Sequence, residues 1–144
     1  MLNKIKNDSI DFILTDVPYW NMDSIKQTRG NHVKQSKLNN FDSGTEKQTK
    51  EEWLNEMKSI LGKAIKKLKV GKYMAVFIGD MYRDSEYHCL SGELALKLSK
   101  IKVIKMKANL IWEDNSKSLH VFGYPAAFVP SMIHQNILIF RKEE

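Results

Sequence analysis

The apolar positions fall into separated groups with two spacings, one that suits strands and one that suits helices. Ile10-Asp11-Phe12-Ile13-Leu14-Thr15 is a short run of strand formers, preceded by Asn7-Asp8-Ser9 and stopped by Pro18; it predicts a buried strand. Trp53, Met57, Ile60, Leu61, Ala64, Ile65 and Leu68 recur every three or four residues and make one helical face. Thr49 followed by Glu52 is a capping-box pattern that starts this helix, and Gly71 is placed to end it. Tyr73-Met74-Ala75-Val76-Phe77-Ile78, closed by Gly79-Asp80, is a continuous apolar run and predicts a strand covered on both faces. A shorter helical spacing follows at Leu94, Ala95, Leu98 and Ile101. Val103 to Trp112 and Ile133 to Arg141 predict two more strands, expected as an antiparallel pair at the sheet's edge and separated by a segment holding Gly123, Pro125 and Pro130. Strands alternating with helices predict an α/β layered sheet in one domain over residues 1–144. Residues 20 to 48 run polar and aperiodic, a length that is usually functional or mobile inside a compact domain.

Composition narrows the class. With 42% hydrophobic residues, three Pro and seven Gly, the 144-residue chain is too apolar for a disordered or low-complexity protein. The single cysteine, Cys89, excludes an internal disulfide framework and a CxxC site, which suits a reducing compartment, and a cytoplasmic location is expected. No apolar run approaches the roughly 18 residues that span a bilayer, so no membrane association is expected. The net charge of +6 is spread evenly, two excess cations in each of residues 1–50, 51–100 and 101–144, with no basic tail. Such a charge is compatible with a polyanionic partner and common without one. His32, His88, His120 and His134 have no ligand spacing, and no metal is predicted.

Candidate chemistry gathers at Thr15-Asp16-Val17-Pro18-Tyr19-Trp20, just beyond the C-terminal end of the first predicted strand. Ligands of open α/β sheets collect at that edge. A strand-ending turn, with Asp capping backbone amides and Pro-Tyr packing, would use the same residue types. Asp16-Val17-Pro18-Tyr19 resembles motif IV of the amino-methyltransferases, whose usual form is Asp/Asn/Ser-Pro-Pro-Tyr/Phe/Trp; Val17 stands where that pattern has its first proline. The approach from Asn7 to Thr15 is similar to the family's "dnSvDliitD" lead-in. Lys72 to Asp80 is similar to the strand after motif IV, and Val129 to Lys142 to the "HEyilvFrK" strand. The resemblances occur in order along nearly the whole chain.

The resemblance implies a Rossmann-like sheet with flanking helices and S-adenosylmethionine-dependent methylation of an exocyclic amino group in DNA, adenine N6 ahead of cytosine N4. An exocyclic amine delocalises its lone pair into the ring. A carboxylate at Asp16 and the carbonyl of Val17 would each accept one N–H and redirect that pair toward the methyl group. Pro18 would be the rigid turn element and Tyr19 the platform on which an extruded base stacks. Asp16 and Pro18 would also border the cofactor, with Asp80 a further candidate contact. Trp20 would wall the base site, and Lys26, Arg29, Lys34 and Lys37 in the long polar segment would touch phosphates, although ordinary disorder accounts for the same composition. Trp112 reaches the same edge and is expected to pack in the core.

The cofactor half of such enzymes needs a Phe-x-Gly-x-Gly turn, and no two glycines here lie closer than Gly71 and Gly79. The chain therefore resembles the catalytic half of the permuted subclass, in which motif IV comes first. It lacks the glycine motif and the region that reads DNA sequence. A completing segment or chain is the expected partner beside DNA, and an open sheet edge would also favour self-association. Methylation of an RNA base or a protein glutamine, and a non-catalytic remnant that binds a partner, stay open as alternatives.

Overall fold

The computed structural model describes residues 2–18, 20 and 48–144. A 3-10 turn over Leu2–Lys4 precedes β1 (Ile10–Asp16). The long helix α1 (Lys50–Ile65) leads to β2 (Leu68–Ile78), a hairpin of β3 (Met81–Arg83) and β4 (Glu86–His88), and the helix α2 (Leu90–Ser99). Then come β5 (Ile104–Glu113), a small hairpin of β6 (Val121–Phe122) and β7 (Val129–Pro130), and β8 (His134–Lys142). The described residues form one four-stranded sheet in the order β1-β2-β8-β5. β1 and β2 are parallel, and β8 is antiparallel to both β2 and β5. The α/β class and the antiparallel final pair are as the sequence predicts.

Both helices lie on one face. Met74, Val76 and Ile78 of β2 pair with Phe140, Leu138 and Asn136 of β8, and all six side chains are buried. Trp53, Leu54, Met57, Leu61 and Ile65 of α1 and Leu90, Leu94 and Leu98 of α2 complete this core. The capping box forms as predicted: the Thr49 hydroxyl accepts from the Glu52 amide, and the Glu52 carboxylate accepts from the Thr49 amide.

Five expectations are corrected. The helix ends at Ile65, so Leu68 opens β2 and Gly71 lies inside that strand at φ +78° rather than ending the helix. The register between β1 and β2 shifts there, Ile10 facing Leu68 but Phe12 facing Tyr73, and only glycine adopts that backbone at little cost. Ile60 leaves the buried helical face and is 44% exposed, its place taken by Leu54. The run Ile10–Thr15 is not buried throughout, with Phe12 and Leu14 exposed, and β2 is covered by helices on one face only, leaving Tyr73 exposed. Trp112 is outside the core, 48% exposed, because it points from edge strand β5 to the face without helices.

Candidate active site at the carboxyl edge of the sheet

Strand register brings the candidate residues to one edge. Asp16 faces Phe77, Ile78 faces Asn136, and Glu113 faces His134. The C-terminal ends of β1, β2 and β5 therefore meet the start of β8, with the two small hairpins beyond them. A helix that returns the chain between parallel strands starts at this same edge, which is why the N-terminus of α1 reaches the motif.

Asp16 ends β1 with an exposed side chain that makes no hydrogen bond or ion pair among the described residues. The backbone beside it is fixed twice. The Val17 amide donates to the Phe77 carbonyl at 3.3 Å, and the Trp53 indole N–H donates to the Pro18 carbonyl at 3.0 Å. Val17 is buried, so the valine that replaces a proline anchors the turn by packing. Trp53 is 2% exposed and looks in the sequence like an ordinary core residue; its place in the first turn of a helix starting at the ligand edge was the available signal.

Trp20 is half-buried and held on several sides. Its indole N–H donates to the Gln48 carbonyl at 2.7 Å, its ring meets the His88 ring edge-on at 5.3 Å, and the Arg83 guanidinium lies 5.5 Å from its centroid. His88 is buried, with Nδ1 3.4 Å from the Lys50 ammonium, which bonds Glu93 at 2.9 Å. The sequence pattern does not single out Arg83, His88 or Lys50 as Trp20's supports, because they come from β3, β4 and α1.

Asp80 has protein donors on both oxygens: the Ser91 amide at 2.8 Å in the first turn of α2, and the Tyr87 hydroxyl at 2.7 Å. Burial, reinforced by the Asp80 carboxylate, pushes the Tyr87 hydroxyl well above its ordinary pKa, so it stays a donor. Asp80 thus joins the β3–β4 hairpin to α2. Tyr19, Lys26, Arg29, Lys34 and Lys37 lie outside the described residues.

Between the hairpins opens a cavity of about 500 Å³ lined by Tyr82, Phe122, Val129, Pro130 and Met132. The Ser131 hydroxyl on its wall is committed, accepting from the His120 amide at 2.9 Å and donating to the Ser118 carbonyl at 3.2 Å. The cavity therefore offers flat apolar contact. Among the described residues no group of three or more His, Cys, Asp or Glu side chains could hold a metal ion, and no helix is long and apolar enough to cross a membrane.

Solved structures share this fold. A DNA modification methylase of Thermus thermophilus, complexed with S-adenosyl-L-methionine, superposes with a TM-score of 0.67 at 17% identity, covering 99% of this chain and 52% of that one. The same protein in a selenomethionine form gives 0.66, covering 49% of that chain. PvuII DNA methyltransferase, cytosine-N4-specific, gives 0.68 at 15% identity over 99% of this chain and 46% of that one. The chain thus spans about half the length of these neighbours. No curated protein matches it by sequence. The DNA methylase family model for N6 and N4 enzymes matches residues 10–144, from the first residue of β1 through β8, and the chain belongs to that family.

Proposed function

We propose that this chain supplies the amine-activating half of a methyltransferase that transfers a methyl group from S-adenosylmethionine to an exocyclic amino nitrogen of DNA, adenine N6 ahead of cytosine N4. The observation that carries the reading is the Asp16 carboxylate, exposed and unbonded among the described residues, on a turn pinned by Phe77 and Trp53. An unpaired acceptor on a rigid backbone suits a group that must receive an N–H from a substrate. Asp16 accepts one amino hydrogen and the Val17 carbonyl the other, drawing the lone pair out of conjugation. Trp53 occupies the next carbonyl, that of Pro18, and so fixes the direction of the peptide between them. Tyr19 stacks on the extruded base, an interaction worth about 1–3 kcal/mol. Trp20 walls the site, and Lys26, Arg29, Lys34 and Lys37 meet phosphates.

S-adenosylmethionine, when bound, supplies an electrophilic methyl group. The residues here fit only the reacting end of that cofactor. Asp16 and Pro18 offer a carboxylate and a flat ring at the edge, whereas the oxygens of Asp80 are already bonded. The adenosine and methionine ends need a glycine-rich turn that the sequence does not contain. A further segment therefore completes the enzyme. In the completed enzyme, Asp16→Ala should abolish methyl transfer to duplex DNA while leaving cofactor affinity nearly intact, measured by transfer of labelled methyl groups and by calorimetry. Retained turnover, or preference for structured RNA or a glutamine peptide over DNA in competition, would overturn the reading.

A further inference from the structure

We infer that the amino edge of the sheet, where β1, β2 and β5 start and opposite the candidate active site, is a second nucleic-acid surface that holds the phosphate backbone of duplex DNA. The inference goes beyond the proposed function: it uses none of the residues placed at the carboxyl edge and requires neither cofactor nor methyl transfer.

Folding sorts charge that the sequence spreads evenly. The segment before β1, the α1–β2 turn, the α2–β5 turn and the end of β8 come together at this edge. The Asp8 and Ser9 amides donate to the Lys66 and Lys67 carbonyls at 3.2 and 2.9 Å, and the Glu143 amide donates to the Val103 carbonyl at 2.9 Å. Residues 2–11, 63–72, 100–107 and 141–144 hold thirteen Lys and Arg against four Asp and Glu; the remaining described residues hold five against ten. Of the four carboxylates, Asp8, Asp11 and Glu143 are already paired, with Lys142, Lys69 and Arg141. Lys63, Lys66 and Lys100 close the two helices, where the helix dipole favours a cation; Lys6, Lys102 and Lys105 close neither. All six are exposed, and none makes a side-chain hydrogen bond or ion pair among the described residues. So many like charges on one edge attract a polyanion.

The chemistry of the rim names the partner. No Phe, Tyr or Trp occurs in those four stretches, so nothing there offers a ring on which an unpaired base could stack. Val70 and Met106 are its exposed large apolar side chains, whereas a protein interface is built around an apolar or aromatic core and is depleted in lysine. Lysine without aromatics suits phosphate, which it contacts whatever the base sequence. The dimensions agree. The strand order β1-β2-β8-β5 sets three spacings of about 4.8 Å, so the rim is roughly 14 Å wide. That is close to the roughly 12 Å major groove of B-DNA, so the rim can meet both flanking backbones together. The carboxylate excess over the rest of the described residues directs a polyanion to this edge.

The test measures binding of a fluorescein-labelled DNA duplex of about 20 base pairs to the full chain by anisotropy, from about 50 to 200 mM salt. Lys66→Ala/Lys102→Ala removes two charges from the rim, and Lys58→Ala/Lys117→Ala removes two from elsewhere, so the two variants have the same net charge. The rim pair should weaken binding about five- to tenfold at low salt and reduce the slope of log affinity against log salt by about 2. The control pair should change affinity less than about twofold and leave the slope as it is. Lys6→Ala/Lys105→Ala, a second pair on the same rim, should repeat the rim result. Equal weakening by rim and control pairs would overturn the surface, since it would mean that only total charge matters. Absence of duplex binding by the unaltered chain would overturn it too. So would tighter binding of poly-glutamate than of the duplex, which would make the rim's partner an acidic polypeptide.

Discussion

The two faces of the sheet carry the same kind of side chain and differ in what lies over them. Beneath α1 and α2, Val76, Leu138 and Phe140 are at most 1% exposed; on the opposite face, Leu14 and Leu110 from the same sheet are at least half exposed. Residue type in a strand does not by itself say which face is covered; the two helices packed on one face do. The difference has an energetic form. Phe140→Ala leaves a cavity in packed surroundings and should cost about 3–5 kcal/mol, whereas Leu110→Ala removes half-solvated atoms and should cost less than about 1 kcal/mol. Urea unfolding checks both, read as midpoint shifts at unchanged slope. Equal losses would break the comparison, since they would mean that the second face is already packed in the isolated chain.

The seam that closes the covered side is next in size. Lys142, at the end of β8, is 7% exposed, and its ammonium donates to Asp8 Oδ1 at 2.7 Å, to the Leu68 carbonyl at 2.8 Å and to the Ile65 carbonyl at 3.2 Å. One cation thus ties the segment before β1, the end of α1 and the start of β2 to the last strand. Lys142→Met keeps the aliphatic stem but leaves two buried carbonyls with one donor fewer. We expect a loss of about 2–3 kcal/mol by urea unfolding, less than a fully buried pair would give because Asp8 is 59% exposed. Arg141, its neighbour, points to the open face, bonds the Gly71 carbonyl at 3.2 Å and lies 5.9 Å from the Tyr73 ring centroid, where solvent screens it.

The same contrast explains what could be read in the sequence. Periodicity locates all four sheet strands and both helices, because burial under a helical layer writes a strong pattern into β2, β8 and α1. It fails on the face without helices, where Phe12, Leu14 and Trp112 read as core side chains yet are about half exposed or more. The β3–β4 hairpin is not legible because its turn, Asp84-Ser85, holds positive φ angles at both residues without the glycine that usually signals them. Gly71 misleads because a glycine near a helix end more often caps it than bends the following strand. At the site, Asp16 to Trp20 stand out from their short-range pattern, whereas Trp53, Arg83 and His88 reach the motif only through tertiary folding.

Acid sensitivity is the smallest and sharpest probe of the two sides. On the open side, Glu143 sits between the Lys107 ammonium at 2.5 Å and the Arg141 guanidinium at 2.9 Å, and the bond from Lys107 holds its carboxyl below the usual carboxylate range. On the helical side, Glu51 bonds Lys97 and joins α1 to α2, and that bond lowers its pKa as well. A carboxyl whose pKa is depressed by folding stabilises the native state fully at neutral pH and loses that contribution as pH falls through its folded value, here below the ordinary range of about 4 to 4.5. Glu143→Gln and Glu51→Gln should therefore both lower stability at pH 7 slightly and flatten its decline in acid. The flattening should be greater for Glu143, whose carboxylate is 27% exposed between two cations, than for Glu51, 68% exposed beside one, because screening weakens the more exposed pair. Thermal unfolding from pH 7 to pH 3 measures both slopes. A steeper acid decline in either variant would reverse the sign, and equal flattening would show that the two rims are screened alike despite the different layers beside them.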